Sequence, residues 1–240
     1  MDKPLTLVEH LNELRKRIIL SLVCVGISSA LSFPLTSQLL KILKRPAFGI
    51  IENLVFFSPQ EAFLIYMRIA VICGLTISMP VILYQIWAFI SPAVEEKFRR
   101  HVGSFVVFCS LSFATGCLFA YFILIPPALK FLLSFAGEDL EPVISATKYI
   151  SFVTSLVLGC GLVFQMPMLS FFLTKLGVIS SRLLRKKYKY AVIIIFIVAA
   201  IITPTPDAFN MFMLAGPMIF LYEMSIWVSF VAGRKPKVEE

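Results

Sequence analysis

Six apolar stretches, at about 18–33, 69–90, 102–125, 150–173, 190–202 and 208–231, take up most of the chain. A hydrocarbon core ~30 Å thick is crossed by ~20 apolar residues rising about 1.5 Å each. In lipid every backbone N–H and C=O must find a partner, and stretches this long satisfy that rule as helices. The expected fold is therefore all-α: a polytopic membrane protein with six transmembrane helices, forming a single integral membrane domain over residues 1–240. Composition supports this, because 59% hydrophobic against 15% charged residues is more apolar than a soluble domain of 240 residues requires. The fifth stretch is the exception in length. At helical rise it reaches only ~20 Å, so it must thin the bilayer or draw in flanking polar residues such as Tyr188 and Thr203.

Topology follows from the charges. Pro80–Arg100, PVILYQIWAFISPAVEEKFRR, passes from apolar and aromatic residues into a dense charged turn, and apolar sequence resumes at Val102. This is read as the inner end of one span, a cytoplasmic loop, and the start of the next. Most of the 22 lysines and arginines lie in the N-terminal segment, this loop, residues 175–189 and the C-terminal tail, which alternate along the chain. By the positive-inside bias both termini are cytoplasmic. The net charge of +8 is thus a loop property, and no nucleic-acid partner is expected. Acids interleave with bases before the first apolar run, which continues past Pro34, so it reads as a retained span rather than a cleaved leader. Two long outer loops, about 34–68 and 126–149, are expected to carry short amphipathic helices near Leu35–Leu43 and Pro127–Phe135.

Several residues stand out against the apolar background. Pro80, Pro167 and Pro217 interrupt spans, freeing the carbonyls of Thr76, Val163 and Met213, and are expected to bend their helices into a concave, bent-helix architecture. With Pro46, in the first outer loop, they are counted among the residues that shape the molecule. Gln165, ~12 Å from the inner end of the fourth span, must face a cavity or another helix, because an unpaired amide is costly in hydrocarbon. Glu223, embedded in the sixth stretch, must pair, neutralise or reach water. Asp207, after Thr203-Pro204-Thr205-Pro206, is placed to cap the sixth helix. Arg68 reads as a snorkelling anchor.

Chemistry-bearing patterns are sparse. The five cysteines, Cys24, Cys73, Cys109, Cys117 and Cys160, lie singly in apolar stretches and form no metal or redox motif. Both histidines lie outside the apolar stretches, and no nucleophile–base pair or phosphate-cradling glycine loop is present. No catalytic residue, metal or cofactor is expected, and an intramembrane enzyme lacks its parts. A small-solute secondary transporter is the alternative reading. It would place several ionisable groups near the midplane, where this chain offers Gln165 and Glu223.

Taken together, HLNELRKR (His10–Arg17), SMPVILYQIWAFISPA (Ser78–Ala93), FAYFILIPPALKFL (Phe119–Leu132), YISFV (Tyr149–Val153), GCGLVFQMP (Gly159–Pro167) and ITPTPDAF (Ile202–Phe209) resemble the TatC family. That family is the receptor subunit of the twin-arginine protein translocase. The resemblance implies six spans, the last two short, in a bacterial inner membrane rather than an organellar one. It implies binding of paired-arginine signal peptides on folded cargo, with export driven by the proton-motive force. It also implies TatA- and TatB-type single-span partners, membrane lipid, and a homo-oligomer within the complex. Two adjacent guanidinium groups call for carboxylates that can receive each in a bidentate fork. By the resemblance, Glu13 and Arg15 match the family's N-terminal signature, and the loop after Pro92 matches its signal-binding loop. Glu9, Glu95 and Glu96 are the further acids near those motifs. Two positions depart from the family pattern. Phe98 stands where a loop glutamate is usual, with Glu95 one turn earlier on the same face. Gln165 stands where many relatives carry glutamate, and is expected to line the cavity that receives the apolar part of the signal peptide.

Overall fold

The computed structural model describes residues 7–47, 49–51, 54–90, 102–134, 143–203 and 207–233. Helices dominate, and each expected apolar stretch is helical over most of its length, although 150–173 is divided between two helices. They are α1 (Leu7–Ser32), α2 (Thr36–Lys44), α3 (Pro59–Ile90), α4 (Val102–Phe119), α5 (Ile125–Ser134), α6 (Ala146–Val163), α7 (Met166–Lys175), α8 (Ser181–Lys186), α9 (Tyr188–Ile202) and α10 (Ala208–Ala232). Five helical runs are long and apolar enough to cross a membrane: Val8–Ala47, Pro59–Ile90, Gly103–Ser134, Ala146–Lys175 and Ala208–Ala232. The shorter apolar helix is α9, with 15 residues. Of the last two apolar helices, both expected to be short, only this one is, because α10 runs for 25 residues.

The segments between the apolar stretches hold more helix than hydropathy alone indicates. α3 begins ten residues before the apolar run, at Ser58-Pro59-Gln60-Glu61. Here Pro takes the first helical position and Glu61 the third, and the Glu61 carboxylate accepts from Phe57 N–H at 3.3 Å. The chain spent on a supposed loop is thus the first turns of a long helix. Both expected amphipathic helices form, as α2 and α5. Between α4 and α5 a π turn spans Ala120–Leu124, with Ile125 N–H donating to the Ala120 carbonyl. Pro126 and Pro127 follow and supply no N–H, so the ladder loses two consecutive donors at the point where the turn widens.

Proline effects differ by position. Pro80 lies inside α3 and Pro217 inside α10, and neither helix is interrupted. Pro167 lies at a break: α6 stops at Val163, Gln165 is the N-cap residue of α7, and Pro167 sits in the first helical turn.

The described chain forms two compact units, residues 1–41 with 63–111, and 42–62 with 112–240. In the first, α1 and α3 meet along a seam of small residues. A Cβ on Gly74 would overlap the backbone of Ser29, and Ser78 Oγ donates to Ser28 Oγ at 3.0 Å. Close approach of this kind through Gly and Ser is how helices associate where lipid offers no hydrophobic drive. Trp87 of α3 packs on Phe105 of α4, ring centroids 4.5 Å apart.

In the second unit the core holds Phe113, Ile125, Ile150, Val153 and Leu214, all essentially inaccessible. Its broadest helix pair is α7 with α10. Ser170 Oγ donates to the Ser225 carbonyl (3.1 Å), Thr174 Oγ1 to Ser229 Oγ (2.7 Å), and Lys175 Nζ to the Ala232 carbonyl (2.7 Å). α7 ends on Gly177 at φ 72°, where Val178 N–H returns to the Leu173 carbonyl. Two phenols anchor the end of α2, Tyr121 on the Ile42 carbonyl and Tyr149 on that of Leu43, each at 2.7 Å. A two-residue parallel ladder pairs β1 (Leu54–Val55) with β2 (Ile144–Ser145).

Candidate functional site

The polar start of α1 and the far end of α3 form a charged clasp in the first unit. Glu13 and Arg17 are four residues apart on α1, acid before base, the favourable order for a helical pair. Arg17 Nε donates to Glu13 Oε1 at 3.0 Å, and Nη2 donates to the same oxygen. Its third nitrogen, Nη1, donates to Gln85 Oε1 of α3 at 3.3 Å. One guanidinium thus joins two helices, and both ionic side chains are about a quarter exposed. Beside the clasp lies a groove of about 370 Å³, lined by Leu14, Ile18 and Leu22 of α1 and by Ile82, Ile86 and Phe89 of α3. Arg17 and Gln85 form part of its wall. His10 stacks on Phe89 of its wall, ring centroids 4.4 Å apart. A carboxylate already holding a guanidinium therefore stands over an apolar trough.

The second unit contributes the break before Pro167. Gln165 is buried at 5% exposure, with its N–H on the Leu162 carbonyl at 3.0 Å and its carbonyl receiving Leu169 N–H at 2.9 Å. It lies inside protein rather than on the lipid-facing surface. The Phe164 carbonyl, left over at the break, accepts from Ser112 Oγ of α4 at 2.6 Å. Ser112→Ala removes that donor and should lower stability by about 1–2 kcal/mol. A thermal melt of the purified chain checks this against Ser110→Ala. Ser110 Oγ bonds only the Val106 carbonyl of its own helix, so that variant should be near neutral.

Comparison with known proteins bears on what this arrangement serves. Residues 9–217 match the family model described as Sec-independent protein translocase protein (TatC). The chain belongs to the TatC family. It is 38% identical to the Sec-independent protein translocase protein TatC of Carboxydothermus hydrogenoformans, over 95% of this chain and 94% of that one. To the protein of the same name from Aquifex aeolicus it is 40% identical, over 96% and 97%. A solved structure described as the twin-arginine translocase receptor TatC superposes with a TM-score of 0.86 at 39% identity, covering 94% of this chain and all of that one.

Within this TatC family chain, the residues singled out from sequence fall in different surroundings. Glu9 and Arg15 are exposed on α1. Glu9 shares the face of Glu13 and Arg17 by its four-residue spacing, whereas Arg15, two residues from Glu13, points elsewhere around the helix. Glu95, Glu96 and Phe98 lie outside the described residues. Pro46 is half-buried in the turn that follows α2, and Pro80 is exposed on α3. Asp207 is the N-cap of α10, its carboxylate accepting from Asn210 N–H at 2.7 Å. Glu223 is half-buried on α10, one residue after Tyr222, whose hydroxyl donates to the Leu184 carbonyl at 2.9 Å. Among the described residues no group of three or more His, Cys, Asp or Glu is placed to hold a metal ion.

Sequence reasoning missed Gln85 and the part played by Arg17. The signal was present for Gln85, since an amide inside the apolar run LYQIWAF carries the same desolvation cost that drew attention to Gln165.

Proposed function

We propose that this chain is the receptor component of a twin-arginine translocase. It would hold the paired arginines of a signal peptide on carboxylates at the inner end of α1, and pass folded cargo across an energised membrane. The observation that carries the reading is the clasp of Glu13, Arg17 and Gln85 over the apolar groove between α1 and α3. A signal peptide presents guanidinium groups followed by an apolar stretch, and those are the two chemistries found side by side here. Arg17 acts as an internal stand-in: an incoming guanidinium would take its place on Glu13, while Arg17 keeps its bond to Gln85. Glu9 lies on the same face and is proposed to receive the second guanidinium. Arg15, Glu95, Glu96 and Phe98 are proposed to extend the contact along α1 and the following loop. Gln165 would join only if the enclosed break before Pro167 opens.

On this reading the chain is a single membrane domain with six spans, α9 being the short one, and both termini are cytoplasmic, as the basic segments favour. The concave shape expected from the span prolines belongs to the same proposal, as do a bacterial inner-membrane location, partnership with TatA- and TatB-type single-span subunits, and homo-oligomerisation in the complex. A chloroplastic relative from Pisum sativum, 34% identical, indicates that the family also serves organelles. The small-solute transporter is not favoured.

The test is site-specific photo-crosslinking from positions 13, 86 and 165 of the full chain in nanodiscs to a labelled signal peptide, with its arginine pair intact or changed to lysines. Crosslinks from 13 and 86 that fade with the lysine pair are expected. Crosslinks indifferent to the pair would refute the receptor reading.

A further inference from the structure

We infer that a second site, at the end of α10, holds the phosphate headgroup of an anionic glycerophospholipid. Ser181, Arg182 and Arg185 of α8 and Ile226, Trp227 and Phe230 of α10 line a concavity of about 360 Å³. Its two walls are chemically opposite. Arg182 and Arg185, three residues apart, lie on one face of α8 and are exposed, and among the described residues neither is paired with a carboxylate. Facing them are an indole, a phenyl ring and a branched aliphatic chain, with Trp227 at 68% exposure.

The site is built rather than incidental. Ser180 caps α8 through Leu183 N–H, and the Tyr222 hydroxyl holds the Leu184 carbonyl, pinning the short helix against α10. The bonds from Ser170, Thr174 and Lys175 fix the same end of α10 from its other side. The two arginines therefore meet the aromatic wall in a fixed relation.

Depth selects the occupant. Trp227 lies five residues before the end of a membrane-crossing helix, ~8 Å along its axis, the level at which indoles sit among headgroups. A phosphodiester there can be forked by guanidinium groups while its acyl chains lie along Ile226, Trp227 and Phe230. Residues 143–203 contain Lys148, Lys175, Arg182, Arg185, Lys186, Lys187 and Lys189 and no acid. Glu223, one turn before Trp227, is the acid nearest the site along α10. A soluble anion would gain nothing from the aromatic wall, and a zwitterionic lipid would gain less from the arginines. Basic pockets between helices at the membrane surface commonly take acidic headgroups.

The test uses the chain's own reporter. It has two tryptophans, and Trp87 is buried, so Trp87→Phe leaves Trp227 as the sole indole. The full-length chain is reconstituted into phosphatidylcholine bilayers, and Trp227 quenching by brominated phosphatidylglycerol is compared with that by brominated phosphatidylcholine. Relative binding is expected to favour the anionic lipid by about fivefold. Arg182→Gln with Arg185→Gln should bring the ratio to about one, and Lys186→Gln with Lys187→Gln should leave it above about threefold. A ratio near one in the parent chain would overturn the inference, since the wall would then be an ordinary lipid-facing surface. So would an equal fall in the lysine variant, which would mean diffuse surface charge. Relief of the quenching by millimolar inorganic phosphate would likewise overturn it, in favour of a soluble anion.

Discussion

Glu13→Gln is expected to weaken binding of a paired-arginine signal peptide by about tenfold to a hundredfold, and to remove most of the preference for arginine over lysine. The substitution keeps the acceptor oxygen and the shape of the side chain, so the loss reports the charge alone. A hydrogen bond to a charged partner contributes about 1.5–3 kcal/mol, and each 1.4 kcal/mol is roughly tenfold in affinity. Arg17→Gln should act in the opposite direction. It frees Glu13 from its internal guanidinium, and since a partly exposed pair four residues apart on a helix is worth about 0.3–1 kcal/mol, binding should tighten by up to about fivefold. Fluorescence anisotropy of a labelled signal peptide against the purified chain reads both. Equal dissociation constants for Glu13→Gln and the parent would remove Glu13 from the site. Weaker binding by Arg17→Gln would make Arg17 a positioning residue rather than a competitor.

A large stability effect is also expected at Gly116. A Cβ there would stand 2.6 Å from the Cys160 carbonyl oxygen and 2.9 Å from Gly161 Cα, so backbone atoms that cannot yield cheaply occupy the space. Gly116→Leu should cost about 3 kcal/mol or more, because even modest overpacking of a tight interior costs about 1–3 kcal/mol. The chain should accumulate poorly or melt several degrees lower in detergent, roughly as that energy scales for a domain of this size. Gly26→Ala is the matched control. Nothing lies within 4 Å of its added Cβ, and alanine is the better helix former, so its melt should be unchanged or slightly raised. A normal melt for Gly116→Leu would mean that α4 and α6 are not in close contact there.

The helical membrane fold was legible because its cause is a length: the long apolar runs are helical, one of them broken before Pro167, and the brief fifth run became the brief α9. What hydropathy could not mark were starts set by capping rather than burial. Ser58-Pro59-Gln60-Glu61 carries a complete helix-start signal, yet it precedes the apolar run and was read as loop. Prolines were read alike and behave differently. Pro167 stands at a break where the Phe164 carbonyl accepts from Ser112, a partner about fifty residues earlier in the chain that no local pattern reveals. Less of the candidate site was legible. Glu13 entered through the family resemblance of His10–Arg17, whereas its bond to Arg17 depends on which rotamers meet, and the bond onward to Gln85 on how α1 and α3 pack.

The short ladder between Leu54–Val55 and Ile144–Ser145 bears on how the chain is made. Its strands are about ninety residues apart, with α3, α4 and α5 between them. During synthesis the first strand must wait, edge open, until the three intervening helices and the second strand have left the ribosome. The ladder therefore closes late, and a nascent chain stalled before Ile144 would leave that edge open to quality-control proteases.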